Sequence, residues 1–395
     1  MEYILRQQEQ QIRHAIERNK SVLLLGPRQT GKTTLIQRIP TDLAISLVTP
    51  EIRLRYEKEP GIMRKEIEAL ESKGTNRPVV VLDEVQKVPD LLNVAQDLID
   101  RQKANFILTG SSARKLRRGH DLNLLPGRVI TLRLDPFTLK ESMPTKLEEG
   151  LLYGALPGIV AVESLQDREI DLESYVTLYL EQEVRAEALV RNLASFARFV
   201  EWAAAESGRI SNFRKISQEI GVAHTTIAAY YEILEDCMIA ERIEPITKSM
   251  TRKKLTRSSK YLFFDLGVRR AAAREGTKPV REHWGHLFEQ FVGLELIRRA
   301  RLSTHNDRIF FWRDPDGPEI DWVLQRKEEF IPIEVKWNSS PNESDIRHLR
   351  TFLAEYKNTQ TGYVICQSPR KMKLSDRVYA LPWQEIPDLM DQLSE

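Results

Sequence analysis

The sequence predicts an α/β multidomain protein in three parts: a phosphate-loop α/β core, a helix-turn-helix middle with a β-wing, and a second α/β domain at the C-terminal end. Three observations carry this. Residues 26–34, GPRQTGKTT, fill every fixed position of G-x-x-x-x-G-K-[ST] between an apolar run and an amphipathic segment. A second apolar run, residues 78–82, ends in Asp83 and Glu84. Towards the other end, Glu289 on a helix-like stretch is followed by Asp321 in one strand-like run and by Glu334-x-Lys336 in the next.

In the first part, residues 21–25 (SVLLL) form a continuous apolar run of strand length, the pattern of a strand buried on both faces. Gly26 and Gly31 let backbone N–H groups turn inward around a phosphate, with Pro27, Arg28, Gln29 and Thr30 between them. Lys32 then reaches the outer phosphates, Thr33 offers its hydroxyl to Mg²⁺, and Thr34 continues the helix whose dipole adds positive potential. Residues 78–82 deliver Asp83 and Glu84 to the C-terminal end of a strand, where open α/β sheets hold their ligands. Asp83 suits the metal's outer shell, and Glu84 suits the base that orients an attacking water. Residues 43–47 and 105–108 read as further strands, and residues 91–99 as an amphipathic helix. Binding of a nucleoside triphosphate is therefore expected.

Composition bounds the rest. At 395 residues the chain holds two or three domains, and its net charge of +2 confines any nucleic-acid surface to a local patch. Cys237 and Cys366 lie far apart and form no metal spacing. The charged N-terminal stretch has no apolar segment of a secretion signal, and no run reaches the ~18 apolar residues of a membrane span. A soluble, cytoplasmic protein without membrane attachment is expected.

In the middle part, Ile216 and Ile220 mark the inner face of one helix, Gly221 the turn, and Ile227, Tyr231 and Leu234 the inner face of the next. Residues 238–243 alternate as the first strand of a wing. If the second helix reads DNA, His224, Thr225 and Thr226 point at the groove with Tyr230 nearby. A basic strip follows, with Lys248, Arg252, Lys253, Lys254, Arg257 and Lys260 and no acidic residue, as phosphate contacts require. Such helices also serve as spacers and subunit contacts, and that alternative stays open.

In the last part, Glu289 interrupts the apolar pattern of GHLFEQFVGLELIRR, and residues 309–312, 319–324 and 331–337 read as three strands. Glu334 and Lys336 are two apart and share a face. A helix Glu, a strand Asp and Glu-x-Lys resemble the PD-(D/E)XK nuclease constellation, with Ile320 where the motif has Pro. That resemblance implies Asp321 and Glu334 as ligands of one or two Mg²⁺, Glu289 as a further metal contact, and Lys336 as a charge stabiliser. A same-face ion pair and a fold without cleavage are the alternatives.

GPRQTGKTTL, VVVLDEVQKVPDLL, FILTGSSARKL, LPGRVITLRLDPFTLKE and YGALPGIV, in this order, resemble the prokaryotic AAA+ ATPases that carry a nuclease-like C-terminal domain. The resemblance covers nearly the whole chain and matches Lys32, Thr33, Asp83 and Glu84 position for position. It implies ATP and Mg²⁺ as cofactors and Thr109 as the group that senses the γ-phosphate. It also implies self-association, as a hexamer, with Arg128 or Arg114 as an arginine finger unless the loop holding them is merely solvated. The organisation expected is an AAA+ core over 1–140, a helical lid or linker over 141–185, a winged helix over 186–250 and a nuclease-like domain over 260–395. The activity expected is ATP hydrolysis coupled to DNA ends, forks or branched junctions, with the last domain gripping or cutting. The alternative is a nucleotide-switched regulatory or defence ATPase, using the winged helix for a protein or operator; a chaperone-like remodeller is a third reading without a nameable pore-loop aromatic.

Overall fold

A strand that is apolar at every position must be covered on both faces, and the computed structural model builds such a sheet around residues 21–25. The structure describes residues 3–71, 77–111, 127–180, 192–247, 255–314 and 317–393. It divides into two units, Met1–Pro136 with Asp236–Ile239, and Phe137–Glu235 with Ala240–Glu395.

The first unit contains β1 (Ser21–Leu25), β2 (Leu43–Ser46), β3 (Val79–Asp83), β4 (Asn105–Gly110) and β5 (Val129–Arg133). All pair in parallel, in the order β2-β3-β4-β1-β5. Alternation along the strands splits the core in two. Val22, Leu24, Val81 and Ile107 meet Ile12 and Ala15 of the Gln7–Glu17 helix and Leu35 and Ile36 of the Lys32–Ile36 helix. Leu23, Leu25, Val80, Leu82, Phe106 and Leu108 form the other core with Met63, Ile67, Leu91, Leu92, Ala95 and Leu98, from the Ile62–Glu71 and Asp90–Asp100 helices. Because β4 lies between β1 and β3, its C-terminal end stands between the end that carries the glycine-rich loop and the end that carries Asp83.

The second unit begins earlier than the sequence suggests. The Leu147–Tyr153, Pro157–Val160 and Leu165–Ser174 helices, expected as a lid of the ATPase, belong to it. Leu147 and Leu151, one helical turn apart, share a core with Leu139, Leu262, Leu266 and the Arg281–Leu302 helix. Asp265, fully buried, accepts backbone N–H bonds from Ala155 at 2.7 Å, Gly267 at 2.9 Å and Val268 at 3.2 Å, which ties this segment down.

The middle of the chain folds as the Leu193–Ala205, Phe213–Ile220 and His224–Asp236 helices followed by an antiparallel hairpin of β6 (Ala240–Ile243) and β7 (Lys260–Phe263). The return strand thus falls inside the region expected to begin the last domain. The Leu193–Ala205 helix is part of this core: the Phe199 ring lies 5.2 Å from Tyr230 and 4.9 Å from Tyr231.

Residues 308–382 form a mixed sheet of β8 (Arg308–Arg313), β9 (Glu319–Arg326), β10 (Glu329–Val335), β11 (Gly362–Cys366), β12 (Met372–Ser375) and β13 (Val378–Pro382), in the order β12-β13-β11-β10-β9-β8. β8, β9 and β10 are antiparallel neighbours, while β10 and β11 are parallel and joined through the Arg347–Glu355 helix. Phe288, Val292 and Leu296 of the Arg281–Leu302 helix cover one face with Trp322, Leu324 and Ile333. Leu349, Phe352 and Leu353 cover the other with Trp312, Val323 and Val364. Among the described residues no helix is long and apolar enough to cross a membrane.

Phe199 has no exposed surface and lies between two tyrosines. Phe199→Ala is expected to cost the second unit about 3–5 kcal/mol. Urea unfolding followed by intrinsic fluorescence checks this: the transition of the second unit moves to lower denaturant while that of the first stays in place.

Candidate nucleotide-binding site

The loop after β1 is shaped by close approach. A Cβ on Gly26 would stand 2.4 Å from the carbonyl oxygen of Leu134, so no larger residue fits without moving backbone. Gln29 and Gly31 take positive φ values, 58° and 89°, which turn the chain back towards its helix. Thr30 is buried and its Oγ1 donates to Pro27 O at 2.8 Å, closing the turn from inside. Arg28 is half-buried, Gln29 exposed, and Thr34 exposed on the helix.

One stabilising residue was missed by sequence reasoning. Arg6, 4 % exposed, donates from Nη1 to Thr30 O at 2.7 Å and from Nη2 to Asp135 O at 2.6 Å. It clamps the loop to the chain beyond β5. A single arginine ahead of an amphipathic helix matches no motif, so nothing in the sequence marked it.

Lys32 is buried, and its Nζ donates to Gly26 O at 2.8 Å and Pro27 O at 2.9 Å. These carbonyls hold the ammonium at the loop. Thr33 Oγ1 donates to Asp83 Oδ2 at 3.2 Å. Asp83, at the end of β3, is 4 % exposed, and its other oxygen accepts from Thr109 Oγ1 at 2.6 Å. Thr109 in turn accepts the N–H of Glu84 at 2.9 Å. The strand order explains this chain of bonds: β4 places Thr109 beside Asp83, and β1 places the loop on the other side. Glu84 has φ 60° and ψ 47°, a left-handed conformation that costs a non-glycine residue of order 1–3 kcal/mol. Its carboxylate accepts from Gln86 Nε2 and from Ser111 Oγ at 3.4 Å, and Gln86 Nε2 also reaches Ser111 Oγ at 3.1 Å.

Arg128 takes no part in its own chain's site. Val129 pairs with Ser21 at the N-terminal end of β1, the end opposite the loop, and Arg128 itself holds Asp100 through Nε at 2.6 Å and Nη2 at 3.0 Å. The arginine that β5 brings level with Leu25 is Arg133, whose Nε donates to Asp135 at 2.9 Å. Arg114 and its basic neighbours lie outside the described residues.

In the second unit the structure brings Asp321, Glu334 and Lys336 together. Asp321 Oδ2 accepts the N–H of Val335 at 2.8 Å and shares a hydrogen bond with Glu334, and Lys336 Nζ reaches Glu334 Oε2 at 3.4 Å. Burial, and then the Asp321 charge, pushes the Glu334 carboxyl well above the ordinary range. Burial and the Glu289 charge raise Asp321 as well. Glu289 is committed elsewhere, to Lys260 Nζ at 2.9 Å. Burial alone would raise its carboxyl, but Lys260 and a hydrogen bond from His286 bring it down to about 2. Glu289, expected as a metal contact, is bound to Lys260 in this structure, and among the described residues no group of three or more ligating side chains is arranged for a metal ion.

The expected DNA contacts divide. His224 and Thr225 are exposed at the start of the His224–Asp236 helix, Thr226 is half-buried, and Arg257 is exposed. A groove lined by Arg214, His224, Arg242 and Arg257 also holds Glu232 and Glu235. Tyr230 is 5 % exposed, with its ring 4.9 Å from Phe196. It is a core residue, because the apolar face of its helix is wide enough to take Tyr230 and Tyr231 side by side. Lys248, Arg252, Lys253 and Lys254 lie outside the described residues, and Lys260 leaves the basic strip for the carboxylate cluster.

A parallel sheet ending in this loop, with Thr33, Asp83 and Thr109 joined across β4, is consistent with a P-loop nucleoside triphosphatase core. Residues 18–143 match the family model of an AAA domain, which supports an AAA-type ATPase for this part of the chain. Residues 144–278 and 284–386 match two domains of unknown function, DUF8612 and DUF4143. The uncharacterized proteins Mb2031c of Mycobacterium bovis and Rv2008c of Mycobacterium tuberculosis are each 26 % identical over 377 residues, 95 % of this chain and 82 % of theirs. Protein VC1899 from Vibrio cholerae aligns over 95 % of this chain and 97 % of its own at 10 % identity, with a TM-score of 0.23, too low to bear on the fold.

The tight approach at Gly26 makes Gly26→Ala decisive for binding. Its affinity for a fluorescent ATP analogue is expected to fall by about tenfold or more, roughly 1.4 kcal/mol per decade. Gly61→Ala, whose Cβ meets nothing within 4 Å, is expected to bind as the parent does.

Proposed function

We propose that this chain is a Mg²⁺-dependent ATPase whose turnover is coupled to DNA held by the second unit. The observation that carries the hydrolytic part is the bonded series Thr33–Asp83–Thr109–Glu84, which links the phosphate loop to the candidate base. The donor set suits Mg²⁺: one hydroxyl and one carboxylate, with phosphate oxygens and waters left to complete six oxygen ligands. Held by Thr33 and Asp83, such an ion would offset the negative charge that develops during phosphoryl transfer.

The chain's own groups do the rest. Loop N–H groups around Gly26–Thr33 receive the phosphates, and the carbonyl bonds that now hold Lys32 are the ones a phosphate chain replaces. Glu84 orients a water for attack and takes its proton. Thr109 holds the Asp83 carboxylate in place and fixes the backbone from which the Glu84 side chain extends. Gln86 and Ser111 hold the Glu84 carboxylate meanwhile, so release from them accompanies turnover.

The DNA part is supported by the exposed His224 and Thr225 at a helix start beside Arg214, Arg242 and Arg257. A second reading, a slow nucleotide-switched regulator, is favoured by the bonds that already occupy Glu84. Steady-state hydrolysis separates the two. Rates are measured without DNA and then with single-stranded, duplex, forked and four-way DNA, with Lys32→Ala as the blank. Stimulation by one DNA form, lost in an Arg214→Ala/Arg257→Ala double variant, is the expected result. Equal slow rates in every tube would replace the DNA motor by the regulator, and rates equal to the blank would remove hydrolysis altogether.

A further inference from the structure

The carboxylates of the second unit resemble a divalent-cation site, and the surrounding side chains do not fit one. A divalent ion of the Mg²⁺ type needs ionised oxygens converging on one point about 2.0–2.1 Å away. Here both strand carboxylates already have partners of their own: Asp321 Oδ2 accepts the N–H of Val335 at 2.8 Å, and Glu334 Oε2 accepts from Lys336 Nζ at 3.4 Å. The third carboxylate, Glu289, faces an ammonium 2.9 Å away.

That ammonium comes from a separate element. Lys260 is the first residue of β7, the return strand of the hairpin after the helix-turn-helix, and its side chain is only 11 % exposed. Its Nζ lies 5.1 Å from the Phe311 ring centre and 5.3 Å from that of Trp322, cation–π distances on two rings of the mixed sheet. Lys260, Glu289, Asp321 and His286 line one cavity of about 540 Å³. The strand is anchored so that the lysine cannot simply swing away: Tyr261 O accepts the N–H of Gly208, and Lys260 also bridges to Ile210. Trp322 Nε1 donates to Glu289 O at 3.0 Å, fixing the helix from which Glu289 extends.

Each ammonium of the cluster thus faces a carboxylate, Lys260 on Glu289 at 2.9 Å and Lys336 on Glu334 at 3.4 Å. A buried ion pair loses heavily when one partner is removed.

We infer that Lys260 is the resident cation of this cluster, delivered by the hairpin to the place a divalent ion would take, and that it closes the cluster to Mg²⁺ and Mn²⁺. The last domain then serves as a holding module rather than a cutting one while Lys260 is in place. This inference does not rest on the ATPase reading.

The test is Mn²⁺ titration by calorimetry on the nucleotide-free full chain, comparing the parent, Glu334→Gln, Lys260→Met, and Lys260→Met with Glu334→Gln. Ions bound at the phosphate loop are common to all four and cancel. The parent and Glu334→Gln are expected to give the same isotherm, whereas Lys260→Met gains one site that Glu334→Gln removes. A Glu334-dependent site in the parent, or a folded Lys260→Met that gains none, overturns the inference. If Lys260→Met does not fold, the comparison of the parent with Glu334→Gln decides: identical isotherms support the lysine, and a lost site in Glu334→Gln refutes it.

Discussion

The hydrogen bond from Thr109 to Asp83 is the interaction on which the first unit turns. A carboxylate 4 % exposed at the end of a central strand is costly unless both oxygens are satisfied, and leaving one unmet costs about 1–3 kcal/mol. The solution uses one hydroxyl from the strand next door and one from the phosphate loop. Only a sheet in which β4 separates β1 from β3 brings both within reach. Folding and chemistry therefore share a constraint: the arrangement that makes Asp83 tolerable when buried also ties the loop to Glu84.

Arg6 shows the same logic at the rim of the site. Its guanidinium joins the loop carbonyl of Thr30 to the carbonyl of Asp135, so two backbone acceptors at a sheet end are met by one side chain. Gly26 lies against Leu134 in the same neighbourhood. The loop is thus held from three sides before any ligand arrives, which lowers the ordering cost of binding.

What was legible in the sequence was whatever depends on neighbours along the chain. The run at 21–25, the loop, the strand leading to Asp83 and the position of Thr109 all stand where local pattern put them, because strand length, glycine placement and alternation are local properties. The helix, turn, helix and first strand of the hairpin were legible for the same reason. Tertiary pairing was not. Arg128 sits one residue after a glycine in a basic stretch, yet the parallel register with β1 sends it to the far end of the sheet, where Asp100 takes it. Tyr230 read as a surface residue until Phe196 and Phe199 arrived from a helix some thirty residues earlier. Lys260 looked like one more cation in a strip, and only the fold shows that Glu289 was the residue waiting for it. Residues 141–185 read as a lid or linker by order in the chain, whereas Leu147 and Leu151 found their core in the later unit.

Whether Thr109 and Glu84 act as one device is read from a double-mutant cycle on turnover. Single-turnover ATP hydrolysis is measured for the parent, Thr109→Val, Glu84→Gln and the combination, with nucleotide affinity measured in parallel. If the two residues work through one network, the double variant is no slower than the slower single one, and affinity stays near the parent's in all four. Losses that multiply in the double variant would show that Thr109 and Glu84 act independently, and the account of the site would fail.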